Sequence, residues 1–141
     1  MKLSIRSILS GRDGTSAIEF AIIAPVFICL LLTFFGFGFY LTTSNSLQQM
    51  AADAARTAVA GLSAAERSKM ASDYVSRSTL DYPMFDRDKL QVKVTDDASN
   101  PDQFTVELVY DASGLPIWSL YSYALPDKNI RRFATIRLGG I

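Results

Sequence analysis

Three patterns of polar and apolar positions follow one another along the chain. From Phe20 to Leu41 the run FAIIAPVFICLLLTFFGFGFYL is apolar and uncharged, and the next charge downstream is Asp53. About 22 residues at about 1.5 Å each give a helix of roughly 33 Å, against a hydrocarbon core of about 30 Å. From Thr42 to Gly61 the period becomes that of an amphipathic helix. Leu47, Met50, Ala54 and Ala58 recur three and four apart, with Gln48, Gln49, Asp53 and Arg56 mostly elsewhere. The membrane helix is therefore expected to continue into water, with Gly61 as its stop. The stripe is rich in alanine and suits close packing, either against its own head or against a neighbouring subunit. Ser63-Ala64-Ala65-Glu66 fits a capping box. It predicts a second helix to about Ser78, with Met70, Tyr74 and Val75 inward. Tyr82-Pro83 breaks that pattern.

The remainder changes to a period of two. In Leu90–Asp96, Leu90, Val92 and Val94 alternate with Gln91, Lys93 and Thr95. In Phe104–Tyr110, Phe104, Val106, Leu108 and Tyr110 alternate with Thr105, Glu107 and Val109. The turn-rich DASNPDQ between them makes an antiparallel hairpin with one buried face. Lys93 and Glu107 fall on its outer face as a candidate solvated pair. Ile130–Leu138 is a third strand candidate, with Ala134, Ile136 and Leu138 on one side. Its basic cluster, Arg131, Arg132 and Arg137, reads as a soluble outer face or as a contact for an acidic partner or surface polymer. Between the strands, Leu115–Pro126 holds Trp118, Tyr121 and Tyr123 between two prolines. It reads as a loop over one end of the sheet, or as an exposed aromatic contact patch.

These elements give an α+β fold: a long N-terminal transmembrane helix, an amphipathic continuation, and a small antiparallel β-sheet head. The expected regions are a basic leader at 1–14, a membrane helix at 15–41, an extracytoplasmic helical region at 42–79 and a β-rich head at 80–141. Lys2, Arg6 and Arg12 precede the apolar run against Asp13, and the first basic residue after it is Arg56. The positive-inside bias puts the N-terminus in the cytoplasm and the head outside. A secretory signal peptide fits less well. Its apolar region would be shorter, and the nearest A-x-A pattern, Ala52-Asp53-Ala54, comes too late.

Composition narrows the function. The 141 residues carry 14 basic and 14 acidic side chains, so the chain as a whole has no nucleic-acid footprint. There is no histidine, the commonest general base. The single Cys29 lies inside the apolar run, where a small packing role is expected. Pairs such as Asp86/Asp88 and Asp96/Asp97 have no metal-site spacing, and no glycine-rich phosphate loop occurs. No catalytic residue, metal, cofactor or small-molecule substrate is expected, and the chain reads as a structural or assembly protein.

Two features at the head of the apolar run point further. Gly14 is followed five residues later by Glu19, with Phe20 beside it. A carboxylate leading a membrane helix is costly unless something positive meets it. If the leader is cut after Gly14, Thr15 gains a free amine, and Glu19 lies one helical turn beyond. An ammonium on an adjacent subunit would then pair with Glu19 and set the axial register of one helix against the next. Pro25 lacks the amide that would bond the carbonyl of Ala21 and permits a kink there.

The stretch Arg12–Phe27, RDGTSAIEFAIIAPVF, resembles the opening of TadE-like proteins. These are minor pilins, or pseudopilins, of the tight-adherence (Flp-type) pilus system. Ala51–Ala58, AADAARTA, also resembles that family. The resemblance implies cleavage between Gly14 and Thr15 by a membrane prepilin peptidase, with Glu19-Phe20 as the assembly motif. It implies other pilins, pilus assembly proteins and the lipid bilayer as partners, and a role in surface adhesion and biofilm formation. The inner membrane is the implied location, with possible passage into the pilus. Thr15 departs from the phenylalanine that commonly begins mature type IV pilins and type II secretion pseudopilins, which favours the tight-adherence branch. The rival expectations are a secretion pseudopilin and an uncleaved single-pass anchor whose head binds a partner.

Overall fold

The computed structural model describes residues 12–79, 85–115, 118 and 127–139. Helix α1 runs without interruption over Arg12–Ala58, and α2 follows at Ala64–Ser78. The strands are β1 (Leu90–Asp96), β2 (Gln103–Asp111) and β3 (Asn129–Arg137). They form one antiparallel sheet in the order β1-β2-β3. The α+β architecture expected from the periodicities is the one observed. Tyr82, Pro83, Tyr121 and Tyr123 lie outside the described residues.

The first half of α1 is exposed and apolar; its second half is a core element. Leu47, Met50, Ala51, Ala54, Ala55 and Ala58 are buried against α2 and the sheet. The alanine stripe thus covers its own head. The absence of larger side chains lets the backbones of α1 and α2 approach closely. The sheet contributes Phe104, Val106, Leu108 and Tyr110 from β2, and Ile130 from β3. Phe85 meets Tyr110 edge to face, with ring centroids 5.0 Å apart. Trp118 is also buried in this core, so this residue is not part of an exposed aromatic patch.

Four local expectations are corrected. α1 ends at Ala58, before Gly61, and Gly61 does not take the left-handed conformation of a helix stop. A Cβ on Gly61 would lie 2.8 Å from both Cγ and the backbone nitrogen of Arg67, so glycine is required there by close approach. Ser63 is the N-cap of α2 as expected, with the Glu66 amide donating to Ser63 Oγ at 3.2 Å, and only the return bond is displaced: the Leu62 amide, not that of Ser63, donates to Glu66 Oε2 at 2.9 Å. The buried face of α2 is Arg67, Ala71 and Val75; Met70 and Tyr74 are only half-buried. Lys93 and Glu107 are opposite in register, but the ion contact of Glu107 is with Arg131, at 4.0 Å.

The arginine cluster splits. On β3 the inward series is Ile130, Arg132, Ala134 and Ile136, and the outward series is Arg131, Phe133, Thr135 and Arg137. Arg132 therefore turns toward α1, while Arg131 and Arg137 face solvent. This also manages the sheet's edge. The outward carbonyls of Arg131 and Phe133 accept from Arg132 Nη1 at 2.8 Å and from Gln48 Nε2 at 2.9 Å. Side chains thus occupy backbone acceptors that would otherwise invite another strand.

Candidate functional site

The residues of the expected processing motif, Gly14, Thr15, Glu19 and Phe20, all lie on α1. The Gly14–Thr15 bond lies within the described helical stretch of α1. Thr15 and Glu19 are four residues apart on one helix and therefore on one face. Both are exposed, as is the neighbouring Phe20. Among the described residues nothing of the head covers this end, which leaves the carboxylate exposed to a group on another molecule. Pro25 lies inside α1 without interrupting it.

Beyond Glu19 the exposed residues are Ile22, Ile23, Val26, Phe27, Ile28, Leu30 and further apolar side chains as far as Leu41. A water-facing helix would not present such a surface, whereas a bilayer or neighbouring helices would match it. The helix is long and apolar enough to cross a membrane. Cys29 is exposed on this stretch, so its expected packing role is not met within the head. Thr33 and Thr42 return their hydroxyl protons to the carbonyls of Cys29 and Gly38, at 2.8 and 2.9 Å. This satisfies those hydroxyls in an apolar setting.

At the other end of the span the head begins at once. Leu41 is 55% exposed, while Thr43 and Ser44 are buried. Arg132 Nη2 donates to Ser44 Oγ at this junction. Far along the head, Arg67 Nη2 lies 2.9 Å from each carboxylate oxygen of Asp96, and Nη1 lies 3.3 Å from the carbonyl of Gly61. The guanidinium also stands 5.5 Å from the ring centroid of Phe104. This pair was not foreseen. Arg67, one of two arginines among Ala64–Ser78, gives no signal of burial unless its partner across the fold is known.

Among the described residues no group of three His, Cys, Asp or Glu side chains is placed to hold a metal ion. The carboxylates Asp86, Asp97 and Asp111 instead accept backbone amides of their own turns.

The model of the family described as TadE-like protein matches residues 14–56. The match opens at the glycine before Thr15, takes in Glu19 and the whole apolar span, and ends within the buried alanine stripe. It is the family that Arg12–Phe27 and Ala51–Ala58 resemble. Neither a curated protein nor a solved structure matches the chain. A TadE-like N-terminal region suggests a role in a tight-adherence pilus system, and the family is not known as enzymatic.

Proposed function

We propose that the protein is a minor pilin, or pseudopilin, in the assembly of tight-adherence pili, and through them serves surface adhesion and biofilm formation. Residues 1–14 form a leader removed by a prepilin peptidase between Gly14 and Thr15. Residues 15–41 hold the subunit in the inner membrane with its N-terminus cytoplasmic. The regions 42–79 and 80–141 make the extracytoplasmic helical part and head. The new Thr15 amine and Glu19 guide docking with other pilins, and Phe20 packs beside them.

One observation carries this reading. Glu19 is exposed one turn beyond Thr15, at the head of an uncovered apolar helix, inside the TadE-like match. A carboxylate in that position is stabilised by a partner's ammonium more than by lipid. The test is mass spectrometry of the mature N-terminus, with and without the prepilin peptidase. A start at Thr15 that depends on the peptidase and on Gly14 is expected. An intact Met1 under both conditions would overturn the reading in favour of an uncleaved anchor.

A further inference from the structure

Among the described residues, no carboxylate pairs with Arg132. This arginine stands on the inward series of β3, half-buried, between Ile130 and Ala134. Its partners among the described residues are the Ser44 hydroxyl and the carbonyl of Arg131, both neutral. The ion pairs among the described residues are Arg56–Asp53, Arg67–Asp96 and Arg131–Glu107, and none includes Arg132. A part-buried guanidinium gains much from an anion and loses by lacking one.

Its height along α1 identifies the anion. Leu41 is the last large apolar side chain exposed before the head closes on the helix. Ser44 lies three residues further, or about 4.5 Å along the axis. The headgroup layer of one leaflet is about 5–7 Å deep. Arg132 therefore reaches Ser44 within that layer, where the abundant fixed anion is a lipid phosphate. Gln48, which holds Phe133, is about 10 Å beyond Leu41 and outside it. Arginine suits this role because its planar fork matches two phosphate oxygens.

We propose that Arg132, held by Ser44, binds the phosphate of an anionic phospholipid in the leaflet beside the head. The site rests on α1 spanning the membrane, and not on leader cleavage or pilus assembly. Its consequence is a subunit whose head is seated on the bilayer by a specific lipid contact.

The full chain would be placed in nanodiscs of phosphatidylcholine, or of phosphatidylcholine mixed with phosphatidylglycerol. Retained lipids would be counted by native mass spectrometry, and thermal unfolding of the head followed in both. We expect phosphatidylglycerol to be enriched roughly fivefold around the protein, the factor one basic residue contributes at an anionic surface. Arg132→Gln should abolish the enrichment, and with it any difference in unfolding between the two lipid compositions. Arg132→Lys should keep part of it, since charge remains and the fork is lost. Arg131→Gln, on the opposite face, should keep most of it. Equal enrichment in the wild type and Arg132→Gln would overturn the proposal. So would a lipid-independent dimer lost in Arg132→Gln, which would assign the arginine to a protein carboxylate. Failure of the chain to enter nanodiscs at all would overturn the membrane reading, and the lipid site with it.

Discussion

Arg67, one turn into α2, holds both oxygens of Asp96 at the end of β1, each 2.9 Å from Nη2. The arginine side chain is 9% exposed and the carboxylate 38%. The pair closes the far end of the head, where α2 begins and the β1–β2 hairpin turns. Removing the carboxylate leaves a buried guanidinium with only the Gly61 carbonyl and the Phe104 ring. Asp96→Asn is expected to destabilise the head by about 1–3 kcal/mol, discounted for the partial exposure of Asp96. Urea unfolding of the full chain in detergent checks this. An unchanged midpoint would show that the pair is a spectator.

Two glycines should respond in opposite ways to alanine. Gly61→Ala puts a methyl 2.8 Å from the Arg67 backbone nitrogen, a contact that a side-chain rotation cannot relieve. A loss of about 1–3 kcal/mol is expected. Gly38 has nothing within 4 Å of its virtual Cβ. Gly38→Ala should leave the isolated subunit as stable or slightly more so, by up to about 1 kcal/mol, since alanine is the better helix former. Thermal unfolding of the two variants side by side provides the comparison.

The buried alanines set the distance between α1 and its neighbours. Ala54 is fully buried at the centre of the stripe. Ala54→Leu adds volume where none is available and should cost about 1–3 kcal/mol. A leucine tolerated there without loss, in the same unfolding assay, would mean that the head does not grip the helix as tightly as the burial indicates.

Asp111 supplies a pH dependence. Hydrogen bonds from the Ser113 side chain and backbone hold its carboxyl below the usual aspartate range, with Lys89 and Lys128 adding smaller attraction. The Ser113 amide is 2.9 Å from Oδ1. A depressed folded-state value means that the ionised form stabilises the fold. That contribution is complete above the unfolded-state value and is lost as the pH falls through the folded one. Asp111→Asn should therefore lower stability at neutral pH, with the two proteins converging in acid. Parallel stability curves would remove Asp111 from the account.

On the proposed function, a change at Glu19 should separate processing from assembly. Glu19→Ala should still insert and reach a Thr15 start, because the cut bond is a turn away. It should lose co-purification with partner pilins. Retained co-purification would show that the carboxylate is not the docking group.

Much of this fold is legible in the sequence because each element carries a clean period. Leu90–Asp96 alternates so regularly that both strand ends are readable, and Ser63 with Glu66 marks the start of α2 to the residue. Arg67 and Arg132 were not legible as inward groups. Each is a charge on a buried face, and the pattern that marks a face as buried is the absence of charge. Only the distant partners, Asp96 and Ser44, make those positions tolerable. The motif Gly14, Thr15, Glu19 is legible for the opposite reason. It is local, and its meaning depends on the apolar run beside it.

If α1 spans a bilayer as proposed, its passage into the head without a spacer makes the protein a lever. Ser44 is fastened to β3 through Arg132, and Gln48 to the next residue on that strand, so the helix cannot turn beneath a stationary sheet. From Ser44 to Ala58 the helix rises about 21 Å. An ordinary tilt of about 20° in the membrane displaces its far end sideways by roughly 7 Å. Bilayer thickness and the packing of neighbouring spans would thus set where the outermost hairpin points, with no hinge to absorb the difference.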